Sequence, residues 1–559
     1  MDDLMVIGAI LAVCLVLFVL IQLDKQKKRK NLIKKLKQQW GKRPKREYEY
    51  DQFESISAFA KRHQREYAVD DITWNDLNMD HIFMLLNHTQ SSVGQEYLYH
   101  VLRNIELDDK VLKKRDRLAT YMEEHSEDRI KLQEIFANLG RTKSLSISYF
   151  LYRLEDIEEK SNFIHHITNA LILLSIIGML FWPAVFVIPF LCIIGFSIAK
   201  YYSYRGDIGS YIISLSYVLS MLKAADQIEG LDMDGIKEYQ DRLKDIKNHF
   251  SKFRKNAFLL YQPVSGAADP VAMVLEYIKI IFHVDIIKFN SMVRILKEQL
   301  DDVDQLMENL GEMEVGIAIA SFRQTLPYTC KPHFIPGTEA KLHIKDAYHP
   351  MISDPVANSI QTDSNVLITG SNASGKSTFL KTVAINSILA QSIYTVLGHE
   401  YESPFYRIFS SMALRDDLEN QESYYIVEIK SLKRIMDASY KEDTCMLCFI
   451  DEVLRGTNTI ERIAASSQIL RSFSLDHVTC FAATHDIELT HLLEGKYENY
   501  HFQEEVKKDD VLFDYVLYEG RATSRNAIKL LSIIGYHKEI IEKADDMAER
   551  FIKTGSWEL

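Results

Sequence analysis

The chain opens with an apolar run, Leu4–Leu23, of twenty residues without a charge. At 1.5 Å per helical residue such a run matches the ~30 Å hydrocarbon core of a bilayer, so it predicts a membrane-spanning helix. A second apolar block extends from Ile167 to Ala199, broken by Trp182-Pro183 and Pro189 and flanked by Lys160 and Lys200. It is long for one span and short for two full ones. It predicts a tight transmembrane hairpin or a re-entrant loop that returns both ends to the same side; a buried soluble helix pair is the competing reading. Residues 47–160 carry helical apolar spacing with few breakers, as in Ile82–Leu86 and Tyr97–Leu102. Residues 206–326 predict long charged helices, including Asp234–Phe253 and Val284–Leu310, suited to levers, coiled arms or an ordinary bundle. From about residue 340 short β-branched runs alternate with helical stretches. Asn365–Thr369, Cys445–Ile450 and Val478–Ala483 read as strands of an α/β sheet with helical crossovers.

Charge changes this picture more than composition does. The length of 559 residues implies several domains, and 47% hydrophobic content supplies a large core. Twelve of the 66 basic residues lie between Lys25 and Arg46, where no acid occurs, so the rest of the chain holds 54 basic against 78 acidic residues. A basic collar after the first apolar run predicts an uncleaved anchor with its amino terminus outside and the collar on the cytoplasmic face, where it also attracts anionic lipid. An acidic body argues against a broad nucleic-acid footprint, which works by counterion release from a basic surface. Six cysteines are scattered along the chain. Cys445 and Cys448 form C-x-x-C, but inside a run that reads as a buried strand and without a second Cys or His pair, so zinc and redox chemistry are not expected.

The candidate chemistry lies in the sheet region. Gly370-Ser371-Asn372-Ala373-Ser374-Gly375-Lys376-Ser377-Thr378 has the spacing G-x-x-x-x-G-K-[ST], after a predicted strand and before a helix predicted over Phe379–Ala390. Glycines let backbone amides turn toward phosphates, and the helix amino terminus adds a favourable dipole. Lys376 is placed to reach the β- and γ-phosphates of ATP, and the Ser377 hydroxyl to ligate Mg2+. The strand ending in Asp451-Glu452 offers a second magnesium ligand, Asp451, and a carboxylate, Glu452, able to polarise an attacking water. A third strand delivers His485, able to donate a hydrogen bond to the γ-phosphate.

These residues resemble a known family. Asp451-Glu452-Val453-Leu454-Arg455-Gly456-Thr457-Asn458-Thr459 resembles the D-E-x-x-R-G-T-x-T segment of the MutS mismatch-repair ATPases, and Ala483-Thr484-His485-Asp486-Ile487-Glu488-Leu489 their A-T-H-x-x-E-L. Asp416-Asp417-Leu418 and Ser423 through Glu428 resemble their D-D-L and S-x-F-x-x-E stretches, with Tyr425 where phenylalanine is usual. Arg407-Ile408-Phe409 and His349-Pro350 match further landmarks, so the resemblance covers about residues 340–535 in order. Leu310–Glu314 through Pro332-His333-Phe334, and residues 72–125, resemble the end and the beginning of the family's core domain more weakly. The resemblance implies an ATPase domain of the ABC class working in pairs, with Ser423 contacting the γ-phosphate across a homodimer and residues 520–527 within a dimerisation segment. In the family the core's long helices lead to a DNA clamp, which implies DNA binding. Members that read mismatches carry an amino-terminal domain with a phenylalanine wedge; here an anchor and collar stand before the core, and mismatch recognition is not expected.

The expected fold is therefore mixed: an α-helical core and lever domain with transmembrane helices, followed by a C-terminal α/β P-loop ATPase domain. The expected divisions are 1–24 (anchor), 25–46 (basic juxtamembrane segment), 47–160 and 206–335 (two parts of the helical core), 161–205 (hairpin) and 336–559 (ATPase and dimerisation). Two functions follow. One is a multi-pass, membrane-anchored MutS-like dimeric ATPase with its catalytic domain in the cytoplasm, moving helical arms against DNA (branched or mismatched) or a membrane partner. The alternative is an ABC-type ATPase acting on a membrane partner without DNA. The chain lacks an L-S-G-G-Q-like signature and further spans, which weighs against a transporter.

Overall fold

The computed structural model describes residues 2–46, 48–142, 146–156, 161–255, 270–371, 374–412, 424–441, 443–455, 457–507, 510–522, 528, 531 and 535–554. The chain divides into two compact units. The first comprises Met1–His63, Met84–His100 and Arg115–Thr325. It is built from helices, with no strand among its described residues. The helix Leu300–Arg323 buries every side chain from Met313 to Phe322, as expected of a helix enclosed on all sides. Glu314 lies within that stretch and is 2% exposed. Its oxygens accept from the Gln90 amide, the Ser91 amide (3.0 Å) and the Ser91 hydroxyl. These groups sit at the amino terminus of the helix Ser92–Arg103, where unpaired amides and the helix dipole favour an anion. Burial still raises the Glu314 carboxyl, and those hydrogen bonds oppose it.

The first helix, Asp2–Gln39, carries the apolar run and most of the collar without interruption. It ends at Gly41, whose φ of +64° is the left-handed conformation that closes many helices. Its basic half is tied to the unit by Arg29 to Glu134, at 2.6 and 3.0 Å, and by the Arg129 guanidinium 3.5 Å from the Trp40 ring centre. The second apolar block forms two helices, Phe163–Phe181 and Pro183–Glu229, turning at Trp182. Pro183 takes the first helical position, where its missing N–H is no loss. The apolar segments of 19 and 22 residues, Phe163–Phe181 and Pro183–Tyr204, are each long enough for a full span of about 30 Å, longer than the block's own limits suggested. Only 22% and 11% of them are buried, and Leu180, Phe181 and Ile188 are each about 70% exposed or more. A third stretch, Ile208–Glu229, is less apolar and 67% buried. Tyr217 holds it to the unit, accepting from the Ser92 amide (3.0 Å) and donating to the Gly140 carbonyl (2.9 Å).

Two expected long helices are broken. Asp234–Phe253 is a short 3-10 turn followed by the helices Lys237–His249 and Ser251–Lys255, and the break brings Phe250 and Phe253 together in the core. Val284–Leu310 is interrupted after Lys297, and the next helix begins at Leu300. Charged periodicity does not record such breaks, because the apolar stripe resumes on a reoriented axis.

The second unit comprises Gln64–Phe83, Val101–Lys114 and Leu326–Leu559. Its strands are β1 (His333–Phe334), β2 (Leu342–Ala347), β3 (Asn358–Thr362), β4 (Asn365–Thr369), β5 (Glu400–Ser403), β6 (Tyr406–Ser411), β7 (Cys445–Asp451), β8 (Val478–Thr484), β9 (Tyr497–Lys507) and β10 (Asp510–Glu519). A small sheet has the order β1-β5-β2-β3, and the main sheet β10-β9-β4-β8-β7-β6. From β9 to β6 the main sheet is parallel; β10 returns antiparallel on β9. β4 and β8 are buried throughout and β7 up to Ile450, which is why their sequences are continuous apolar runs. The three strands expected from sequence agree with β4, β7 and β8 to within one residue. Cys448 lies beside Cys480 across the β7–β8 ladder, inside the core.

The early segments cover the open edge of this sheet. Asp76 accepts from the Ser410 hydroxyl (2.7 Å) and the Met412 amide (2.9 Å), and Thr73 accepts from the Ser410 amide (3.0 Å), all along β6. Asp70 caps its own helix at Thr73 and pairs with Arg434.

The Glu314 site predicts a test. A Cβ added at Gly94 would meet the Glu314 carboxylate at 2.0 Å. Gly94→Ala is expected to destabilise the chain by about 2–3 kcal/mol, read as a lower melting temperature in detergent, because the buried carboxylate must leave its amides.

Candidate functional site

The parallel ladder brings three strand ends together. Thr369 of β4 pairs with Thr484 of β8, and Asp451 of β7 pairs with Ala483. The loop after β4, the Asp451-Glu452 pair and His485 therefore leave the sheet at the same carboxyl edge, where open α/β sheets place their ligands.

The loop from Gly370 leads into the helix Lys376–Ile393. Gly370 and Gly375 have φ of +149° and +113°, conformations that residues with a side chain rarely adopt. Lys376 Nζ donates to the carbonyls of Gly370 and Ser371, both at 2.8 Å, and lies 3.5 Å from His485 Nε2. Burial lowers its pKa to about 8, against the opposing pull of Asp451, Glu452 and Glu504. The Ser377 hydroxyl donates to Asp451 Oδ2 at 2.6 Å. Glu452 is paired on both oxygens, with His485 Nε2 at 3.0 Å and Arg455 Nε at 2.8 Å. The hydrogen bond from His485, helped by Arg455 and Lys376, holds its carboxyl below the usual range although burial pushes the other way.

Glu452 is aimed by an uncommon backbone. Its φ is +63° and that of Leu454 is +59°, both left-handed. The Glu452 amide still donates to Ala483 O at 2.9 Å, so the ladder with β8 continues one residue past β7. The turn is then held by Glu428, 1% exposed, whose Oε1 accepts from the Leu454 amide at 2.6 Å. Burial raises the Glu428 carboxyl, and its bonds to this turn oppose the rise. Beyond the turn, Asn458 caps the helix Thr459–Ser472 at Ile460 N, and Arg462 grips Asp486, the residue after His485, through two bonds of 2.6 and 3.0 Å.

Ser374, Gly375, Lys376, Ser377, Thr378, Asp451, Glu452 and His485 line one cavity of about 510 Å³. Gly370 and Ser371 stand behind it, with the Ser371 hydroxyl on Glu504 (2.8 Å). Asn372, Ala373 and Ser423 lie outside the described residues, as do Asp416–Leu418. The rest of its lining, a more apolar lobe not assigned from sequence, includes Ile352, Val356, Phe379, Phe502 and Tyr515 with the polar His349, Asp354 and Asn358. His349 was only a landmark residue. Its Nδ1 accepts from the Met351 amide at 3.2 Å, and burial lowers its pKa to about 4, so a neutral ring faces this lobe. Among the described residues no group of three or more His, Cys, Asp or Glu side chains is arranged to hold a metal. The whole can receive a polyanion at the helix amino terminus, present it to an ionised carboxylate, and hold a flat apolar group at the far end.

Comparison with known proteins bears on this edge of the sheet. Residues 366–552 match the family model for MutS domain V, a stretch that contains the loop, Asp451, Glu452 and His485. The chain thus carries a MutS domain V in its carboxyl-terminal part. It is similar to the DNA mismatch repair protein MutS of Thermosipho melanesiensis, 28% identical over 47% of this chain and 32% of that protein. It is also similar to the protein of that name from Thermotoga sp. (strain RQ2), 31% identical over 47% of this chain and 34% of that protein. The MutS protein of Listeria welshimeri is 28% identical over 51% of this chain and 33% of its own length. The chain thus spans about a third of the length of these MutS relatives.

A Cβ at Gly370 would stand 2.8 Å from the Phe502 carbonyl, whereas Gly495, also left-handed (φ +77°), has open space around it. Gly370→Ala is expected to cost about 2–3 kcal/mol and Gly495→Ala only about 1 kcal/mol, compared by calorimetry of the full chain.

Proposed function

We propose that this chain is a MutS-like, membrane-anchored ATPase that hydrolyses ATP at a site completed by a second copy. The observation that carries the reading is the convergence of Lys376, Ser377–Asp451 and Glu452–His485 on one cavity at the carboxyl edge of a parallel sheet. ATP lies with its triphosphate over the loop and its base in the apolar lobe beside the neutral His349. Lys376 Nζ turns from the loop carbonyls to the β- and γ-phosphates. Glu452, kept ionised by His485 and Arg455, orients the water that attacks the γ-phosphorus and takes its proton. His485 then donates to the γ-phosphate oxygens.

Ser377 Oγ and Asp451 Oδ2, 2.6 Å apart, are two hard oxygen donors that would hold Mg2+ beside the phosphates. Mg2+ held there offsets charge on the β- and γ-phosphates. Ser423 acts on the γ-phosphate of the partner's nucleotide, so the working unit is a homodimer.

The membrane part of the proposal rests on the apolar helices. The run Leu4–Leu23 and the hairpin of Phe163–Phe181 and Pro183–Tyr204 cross the bilayer, with the collar and the ATPase domain on the cytoplasmic side. Ile208–Glu229, largely covered by its own unit, is core rather than span. DNA, branched or mismatched, is a candidate partner through the MutS relatives; the exposed apolar hairpin equally supports a membrane partner moved by the nucleotide cycle.

Glu452→Ala is expected to lower ATP turnover at least about 100-fold while ATP binding stays within a few-fold, measured on the detergent-solubilised dimer. Undiminished turnover in a strictly monomeric preparation would remove the shared site from the proposal. The second expectation concerns pH. Binding needs protonated Lys376, and its free pKa is about 8, so ATP affinity is level below pH 7 and falls up to about tenfold per unit above pH 8. Lys376→Arg is expected to hold its affinity level to about pH 10, since a guanidinium keeps its proton there.

A further inference from the structure

A second cavity, of about 240 Å³, lies wholly within the helical unit, far from the phosphate loop in sequence. Its wall includes Lys42, Arg43, Lys45 and Arg46 from the end of the collar, with His88 and Gln90 from the core, and among the described residues no acid lines it. Four cations around one cavity are unusual in a chain whose remaining body is strongly acidic.

The chain makes this pocket by turning at Gly41. The Gly41 amide donates to Ser321 Oγ at 3.2 Å, and the turn folds residues 42–46 back over the core. Ser321 Oγ also lies 2.9 Å from His88 Nδ1. In the tautomer in which the Ser321 hydroxyl donates to Nδ1, the ring proton lies on Nε2. His88 is 8% exposed, and Nε2 has no hydrogen-bond partner among the described residues. A buried N–H without an acceptor costs free energy that a ligand oxygen would recover. Arg46 adds a second reason. It donates to Asn87 Oδ1 (3.4 Å) and the Thr89 carbonyl (2.6 Å), and Arg141 donates to the same two oxygens at 3.1 and 2.8 Å. Two guanidinium groups are thus gathered on neutral acceptors, with Glu314 offsetting part of their charge. Burial and Arg141 together lower the Arg46 pKa to about 10, the direction an anion beside it would reverse.

We propose that this pocket binds a phosphoryl anion, through Lys42, Arg43, Lys45 and Arg46 and the Nε2–H of His88. The cavity of about 240 Å³ has room for a phosphoryl group such as pyrophosphate. Two sources share this chemistry, a soluble phosphate and a lipid headgroup. Trp40 lies seventeen residues beyond Leu23, about 25 Å of helix, which places the pocket beyond easy reach of headgroups around the anchor.

The test uses radiolabelled pyrophosphate and the full chain carrying Lys376→Ala, which silences the phosphate loop, in phosphatidylcholine nanodiscs. Saturable binding is expected, weakened about tenfold or more both by His88→Leu and by Lys42→Ala with Lys45→Ala. The same charge loss elsewhere in the collar, Lys30→Ala with Lys34→Ala, is expected to change it less than about twofold. Discs containing phosphatidic acid separate the sources: competition with pyrophosphate assigns the pocket to headgroups, and unchanged binding to a soluble phosphate. Absence of saturable binding, or equal weakening by the Lys30/Lys34 pair, overturns the pocket and leaves only a diffuse field around the collar. Either result stands apart from ATP turnover, which is measured with Lys376 in place.

Discussion

The parallel pairing of β4, β8 and β7 is the constraint on which the candidate site depends. Every chemically suggestive side chain is carried just past the end of one of these strands, so their relative register decides which can meet. Because side chains alternate along a strand, a slip of one residue in β7 would turn Asp451 away from Ser377 and exchange it with a core residue. The apolar packing of Leu447, Phe449 and Ile450 against Phe481 and Ala482 prevents that slip. Beyond the ladder the control passes to polar contacts: Ala483 O holds the Glu452 amide, Glu428 holds the Leu454 amide, and Arg462 holds Asp486 beside His485. A strained turn with two left-handed residues persists because its surroundings over-determine it.

The sheet also depends on chain that precedes it by more than 300 residues. An open β6 edge would offer unpaired backbone groups to other strands. Thr73 and Asp76 take those groups, and Asp70 pairs with Arg434 on the helix that follows β6. Residues 64–83 and 101–114 are therefore part of the α/β unit, although nothing in their helical periodicity separates them from the neighbouring helical segments.

The helical unit shows two opposite burial rules along a single helix. In Pro183–Glu229 the first half exposes its large apolar side chains and the second half buries them. A helix in water must hide such side chains, so the exposed half calls for an apolar surrounding that the described residues do not supply. The buried half needs none, since Tyr217 and its neighbours are satisfied by the core.

Much of this was legible in the sequence, for identifiable reasons. Buried parallel strands must be apolar along their whole length, and phosphate-binding turns need glycine at set positions, so β4, β7, β8 and the loop from Gly370 to Thr378 could be read from residue order alone. Glu452 and His485 were read at strand ends by the same local logic, and the MutS resemblance agreed with both. The breaks after His249 and Lys297 were not legible, because helical periodicity survives a change of axis. The partners Glu428, Phe502, Tyr515 and Glu504, and the pocket joining Gly41, His88 and Ser321, lie far apart in sequence and meet only through packing. Sequence determined which segments become strands, helices and the glycine-bounded loop, since those choices are made within a few residues. Tertiary structure decided which carboxylate is held ionised, which lysine is depressed and which buried histidine nitrogen has no partner among the described residues. Burial and charge are sums over neighbours brought together by the fold.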